Sequence, residues 1–192
     1  MAKVAVTTSG NNTLFGARHV VRTSTGDLYV VAEADGKVHV YYSSDGSSWA
    51  VKDDANAPSC MADSPVAVAI DSGDILHIVY YDDTYPTSGG LQYITFDTLD
   101  GGNKDDAFNT PEECMPQTDA DNTYFGCAIA IDSNDIPHAC FVDSDSAKGT
   151  DYDTIYYANR IGGSWTASPV EVDGVSTSKN YNYPDLTIDA DD

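Results

Sequence analysis

The sequence predicts an all-β chain of β-propeller type, with about three complete four-stranded blades and the first strand of a fourth, part of a larger ring, over residues 1–192. Three observations predict it. A seventeen-residue segment recurs without a gap, the recurrences are spaced as propeller blades are, and no stretch carries the apolar spacing of a long helix.

The repeat is Val66-Ala67-Val68-Ala69-Ile70-Asp71-Ser72-Gly73-Asp74-Ile75-Leu76-His77-Ile78-Val79-Tyr80-Tyr81-Asp82, matched position by position by the run from Cys127 to Asp143. A weaker copy runs from His19 to Val31. A short one, Pro184 to Asp192, reproduces the first strand and its turn, ending Ile188-Asp189-Ala190-Asp191-Asp192. Taking Asp27, Asp74, Asp135 and Asp192 as equivalent gives spacings of 47, 61 and 57 residues. The blades are then residues 14–58, 64–113 and 123–174, with the next beginning at 183–192.

Each unit reads as a first strand, a polar turn, a second β-rich run and a third such as Lys37 to Tyr42, Leu91 to Phe96 or Thr154 to Tyr157. In the first strand both alternating sets are apolar, one large (Val66, Val68, Ile70) and one small (Ala67, Ala69), so neither face is built for water. The repeat turns carry Asp71 and Asp74, Asp132 and Asp135, and Asp189, a residue type that bonds its own backbone in turns. Rings of this kind take four to eight blades, so three imply further blades of the same chain or other subunits of an assembly as partners. Residues Lys3 to Thr7 are a candidate closing outer strand.

Thirty-one acidic against nine basic side chains give a formal charge of −22, which repels phosphate backbones and anionic membranes. Nucleic acid is excluded as a partner. No run of about eighteen apolar residues offers a membrane span, and no signal peptide is visible at the start. The charge admits three readings: solvated loops, adaptation to salty surroundings, and calcium binding. The sequence contains no Asp-x-Asp-x-Asp-Gly loop with a closing Glu, so no cofactor is expected and calcium is the weakest of the three.

Tyr42-Ser43-Ser44-Asp45-Gly46-Ser47-Ser48-Trp49 resembles the Asp-box of bacterial-neuraminidase repeats, the motif of sialidase-like propellers, with one residue fewer between Asp and Gly. Asn159-Arg160-Ile161-Gly162-Gly163-Ser164-Trp165 is a degenerate relative that keeps Gly and Trp. The resemblance implies that Ser43, Asp45, Gly46, Trp49 and Trp165 are scaffold, away from any catalytic face, and places Arg160 on that scaffold side. A sialidase would also carry three arginines on the substrate carboxylate, a Tyr nucleophile paired with Glu, and an Asp acid. The three arginines present, Arg18, Arg22 and Arg160, do not fit that pattern, and no hydrolytic carboxylate pair is identifiable.

His77 and His138 share one repeat position, which suits a structural hydrogen bond in each blade better than a shared metal. Cys127 and Cys140 lie symmetrically about Ser133–Asn134, so a tight hairpin would oppose them. Buried thiols are the expectation, with a Cys127–Cys140 bridge as the alternative in an oxidising compartment. Cys60 and Cys114 occupy equivalent connections and are expected to lie apart.

The expected role is therefore a structural or adhesive propeller of a virus particle, appendage or cell surface, extracellular and without catalysis. Surface glycans would meet loop tyrosines Tyr85, Tyr124, Tyr152 and Tyr181, whose rings can stack on sugars. The alternatives are the N-terminal part of a sialidase-like glycoside hydrolase, and an assembly part with no small ligand.

Overall fold

The computed structural model describes residues 19–53, 57–61, 64–82, 90–98, 108–115, 126–144, 153–166, 170–172 and 184–189. Among them every regular element is a strand. The first sheet is β1 (Val20–Arg22), β2 (Leu28–Ala34), β3 (Lys37–Ser43) and β4 (Ala50–Val51), in that spatial order. The second is β5 (Val66–Ile70), β6 (Ile75–Asp82), β7 (Gly90–Asp97) and β8 (Glu112–Met115). The third runs β9 (Gly126–Ile131), β10 (Pro137–Ser144), β11 (Asp153–Ile161) and β12 (Ser164–Trp165), with β13 (Val170–Glu171) also on β11. All pairings are antiparallel, and each strand is hydrogen-bonded to its sequence neighbour, β13 excepted.

The two copies of the repeat thus fall in separate sheets. Their alternation decides how the sheets meet. Val66 and Val68, with Leu76, Ile78, Tyr80, Ile94 and Phe96, face Val21, Tyr29, Val31, Val38 and Val40 of the first sheet in one core cluster. Ala67 and Ala69, with Val79, Tyr81, Leu91 and Tyr93, face Cys127, Ile129, Ala139 and Phe141 of the third in another. The middle sheet is dry on both faces because both of its side-chain sets are apolar, and burial of such surface is what holds the three sheets face to face.

Not every first strand behaves so. In β1 the pattern is exposed, buried, exposed, with Val20 at 50% exposure, because Arg22 and Val20 sit on the face away from the second sheet. Residues 184–189 form no strand. They alternate between shielded (Pro184, Leu186, Ile188) and exposed (Asp185, Thr187, Asp189) positions, and no ladder partner stands beside them among the described residues.

The repeat turns are three-residue hairpin loops. In the second sheet Asp71 N–H bonds Ile75 C=O (3.1 Å) and Asp74 N–H bonds Asp71 C=O (3.2 Å), and the third sheet repeats this with Asp132, Ile136 and Asp135. Asp74 and Asp135 have φ of 63° and 59°, the left-handed conformation that closes such a loop. The same position in the first sheet is Gly26, φ 99°, and not Asp27, which pairs as Ile75 and Ile136 do. The equivalence based on Asp27 is therefore one residue late.

That loop also separates the cysteines. The β9–β10 register sets Cys127 opposite Phe141 and Cys140 opposite Ala128. The odd loop length moves the symmetry axis to Asn134, and a one-residue offset puts the two side chains on opposite faces of the sheet. All four cysteines are buried, and none is in a disulfide.

Candidate functional site

A cleft of about 460 Å³ opens beside the contact of the second and third sheets, lined by His77, Tyr93, Thr95, Asn109, Thr110, Glu112 and Arg160. The middle sheet supplies most of it. In β6 and β7, His77 lies opposite Thr95, and Tyr93 is two residues along on the same face. An irregularity in the β7–β8 register between Leu91 and Gln92 leaves Glu112 opposite Tyr93, at the cleft, while Cys114 enters the core.

Arg160 of β11 reaches across from the third sheet. Its Nε and Nη2 donate to the two carboxylate oxygens of Glu112 at 2.9 and 2.7 Å, a two-pronged charge-assisted pair. The guanidinium stands 5.5 Å above the Tyr93 ring, whose edge meets Trp165 at 5.2 Å. The Glu112 hydrogen bond strengthens the hold of Arg160 on its proton. The pair links two sheets whose residues stand 48 apart in sequence.

Behind them lies a polar chain. The Tyr93 hydroxyl meets His77 Nδ1 at 2.7 Å, and His77 Nε2 meets Asp71 Oδ2 at 3.1 Å, while Asp71 Oδ1 accepts the N–H groups of Gly73 and Ile75. Burial lowers the His77 pKa below its ordinary 6.5, with the Arg160 charge acting in the same direction and Asp71 against it. His77 is thus the neutral imidazole at pH 7. Burial first, and the Glu112 charge in part, raises the Tyr93 hydroxyl well above the usual tyrosine range. The third sheet repeats the tyrosine half of it, with His138 Nδ1 at 2.5 Å from the Tyr157 hydroxyl, while His138 Nε2 stands 3.5 Å from Asp132 Oδ2 without a hydrogen bond. The recurring histidine makes a hydrogen bond of the same kind in both sheets.

The remaining residues singled out in the sequence lie elsewhere. Ser43 is buried at the end of β3, and its hydroxyl accepts Gly46 N–H at 2.8 Å. Asp45 is exposed, and one of its oxygens accepts Ser47 and Ser48 N–H at 2.7 Å each, which holds its carboxyl well below the usual carboxylate range. Gly46 has φ 71°, which lets the chain turn there, and Trp49 beyond it is half-buried. Trp165, its counterpart, is partly buried against the second core cluster, and its indole N–H is buried with no hydrogen-bond partner. Asp74 and Asp135 each accept two bonds from a serine of the preceding sheet. Asp189 is exposed. Tyr85, Tyr124, Tyr152 and Tyr181 lie outside the described residues, as does the segment Lys3 to Thr7.

Arg160, near the end of β11 and just before the Gly162–Gly163 turn, lines the cleft wall on the side of Trp165, its ladder partner in the degenerate box. Glu112 and Tyr93 were not singled out by sequence, since a contact across 48 residues leaves no local pattern. Among the described residues no three His, Cys, Asp or Glu side chains group to hold a metal ion.

No family model matches the sequence, and no curated protein is similar to it. Solved structures are. One is a polysaccharide lyase, an ulvan lyase bound to -[GlcA(1-4)Rha3S]-, with a TM-score of 0.51 and 13% identity over 77% of this chain. Another is an endo-arabinase from Bacteroides thetaiotaomicron VPI-5482, with a TM-score of 0.53 and 15% identity over 86% of this chain. The chain spans 41% of the first and 59% of the second. At this identity the likeness is one of fold: an all-β, propeller-like arrangement of antiparallel sheets.

Proposed function

We propose that the protein is a carbohydrate-binding module of β-propeller type, whose three sheets are consecutive blades of a larger ring and whose saccharide site is the Arg160 cleft. The makeup of that cleft carries the reading. Hydroxyl, amide, imidazole, carboxylate and guanidinium groups converge on a concave, open space beside an aromatic pair, the combination that meets the alternating hydroxyls and C–H faces of a sugar. The two similar structures are of proteins that act on polysaccharides, which supports the same ligand class.

Binding without hydrolysis is the reading favoured. The two carboxylates nearest the cleft are both engaged, Glu112 by Arg160 and Asp71 by backbone N–H groups and His77. Those partners hold both carboxylates in place, away from the facing acid and base that glycoside hydrolysis needs. In this proposal the Ser43 to Trp49 turn is Asp-box-like scaffold, and the ring is completed by further blades or other subunits at a particle or cell surface.

Titration calorimetry with a panel of neutral and acidic oligosaccharides tests the proposal. At least one class should bind, and Arg160→Ala should weaken it about tenfold or more, the usual loss on removing a charged hydrogen-bonding group from a ligand. A panel that gives no heat, or binding that Arg160→Ala leaves intact, overturns it.

A further inference from the structure

The charges of the Arg160 cleft cancel within it. Among the described lining residues Arg160 is the cation and Glu112 the anion, and the two are joined by bonds of 2.9 and 2.7 Å. The other lining groups are hydroxyl, amide and imidazole, and burial keeps the His77 imidazole uncharged at pH 7. Behind His77 stands the Asp71 carboxylate, at 3.1 Å, and the chain as a whole carries −22. An anion entering the cleft meets a guanidinium already held by Glu112 and by the Tyr93 ring 5.5 Å away, in a field of its own sign.

The ion pair is nevertheless open to a ligand. The Arg160 side chain is 25% exposed and that of Glu112 41%. Arg160 uses Nε and Nη2 on Glu112, so the two N–H groups of Nη1 lie outside the pair, and each Glu112 oxygen accepts one of those bonds and keeps a second lone pair. A donor edge and an acceptor edge therefore stand side by side. A sugar hydroxyl both donates and accepts, so neighbouring hydroxyls satisfy the two edges together. A carboxylate or sulfate only accepts: it meets the guanidinium and sets its charge against Glu112.

On the reading that the Arg160 cleft binds saccharide, we propose that its ligand is a neutral sugar, held through neighbouring hydroxyls that accept from Arg160 and donate to Glu112. Glu112 is then a specificity residue. It touches the sugar itself, and it excludes acidic sugars by neutralising the one cation that the described lining offers them.

Matched pairs of oligosaccharides test this by calorimetry on the full chain: cello-, manno- and galacto-oligosaccharides, each against the same chain with carboxylates at C6. The neutral member of a pair should bind at least about tenfold more tightly than the acidic one, since like charges brought together at a site cost more than the 1.4 kcal/mol of a tenfold change. Its affinity should also hold steady as salt rises from about 0.01 to 1 M, because no net charge is brought together. Glu112→Gln should weaken the neutral member and strengthen the acidic one, each about tenfold. Equal or tighter binding of the acidic member by the unaltered chain, or a Glu112→Gln chain in which the acidic member gains nothing, overturns the neutral-sugar assignment and leaves the saccharide reading standing. Silence with both members of every pair overturns the two together.

Discussion

The carboxylate of Asp135 accepts both the backbone N–H and the hydroxyl of Ser72, at 2.9 and 2.6 Å, and so ties the turn of the third sheet to the turn of the second. One sheet earlier, Asp74 takes the N–H and hydroxyl of Ser24 at 2.7 and 2.5 Å. Each aspartate reaches backward because its φ is positive, which swings the side chain out of the hairpin plane toward the preceding sheet. The turn residue that shapes one hairpin thereby fastens two sheets.

Ser72 holds the Asp135 carboxyl below its ordinary pKa of 3.8, through its hydroxyl first and its N–H second. A depressed carboxylate contributes stability that is present above the unfolded value and lost as pH falls through the folded one. Carboxyl-detected NMR should therefore find Asp135 titrating below 3.8, and Ser72→Ala should move it upward.

Asp74 is buried, at 7% exposure, so its clasp is shielded from water. Asp74→Asn keeps a residue that tolerates positive φ and removes only the charge on the bonds to Ser24. It should cost about 1 kcal/mol in chemical denaturation, the scale of a charge-assisted hydrogen bond less what an amide oxygen restores. An unchanged midpoint would deny the clasp any role in stability.

These clasps show how far the sequence could be read. The strands, their order and the separation of the two repeat copies were legible, because alternation of period two with recurring turn residues is a local signal. So was the dryness of both faces of β5, from its valines and alanines. The turn register was not: Gly26 and Asp27 both look like turn residues, and only the hydrogen bonds reveal that Gly26 takes the left-handed position. The same half-step misplaced Cys140 against Cys127. The cleft was not legible either, since Glu112 and Arg160 meet through the stacking of sheets, which leaves no spacing rule in the chain.

His77 makes a prediction about acid. Its pKa lies below 6.5 chiefly through burial, and His19 is lowered by burial too, so the unfolded chain binds protons that the folded one refuses. Stability from these groups is full above pH 6.5 and declines as pH falls below it. Denaturation midpoints should drop over that window, and His77→Gln should flatten the slope. A midpoint that rises on acidification through this range would contradict the neutral state of His77.

The thiols give a fourth check. Burial pushes Cys140 up to about 11, with the Asp185 charge adding to the rise, and burial raises Cys127 and Cys114 further. Native protein at pH 8 should resist a thiol reagent and release four reactive groups on unfolding, matching the four cysteines in the chain. Two groups instead of four would mean a disulfide and contradict the four thiols seen here.

The two tryptophans report directly on the proposal that the Arg160 cleft binds saccharide. Trp165 stands edge-on to Tyr93 at its margin, while Trp49 sits in the turn after β3 of the first sheet. Titrating an oligosaccharide that binds into isotopically labelled protein should move the Trp165 indole N–H resonance and leave that of Trp49 in place. Movement of Trp49 alone, or of neither, would contradict the assignment of the site.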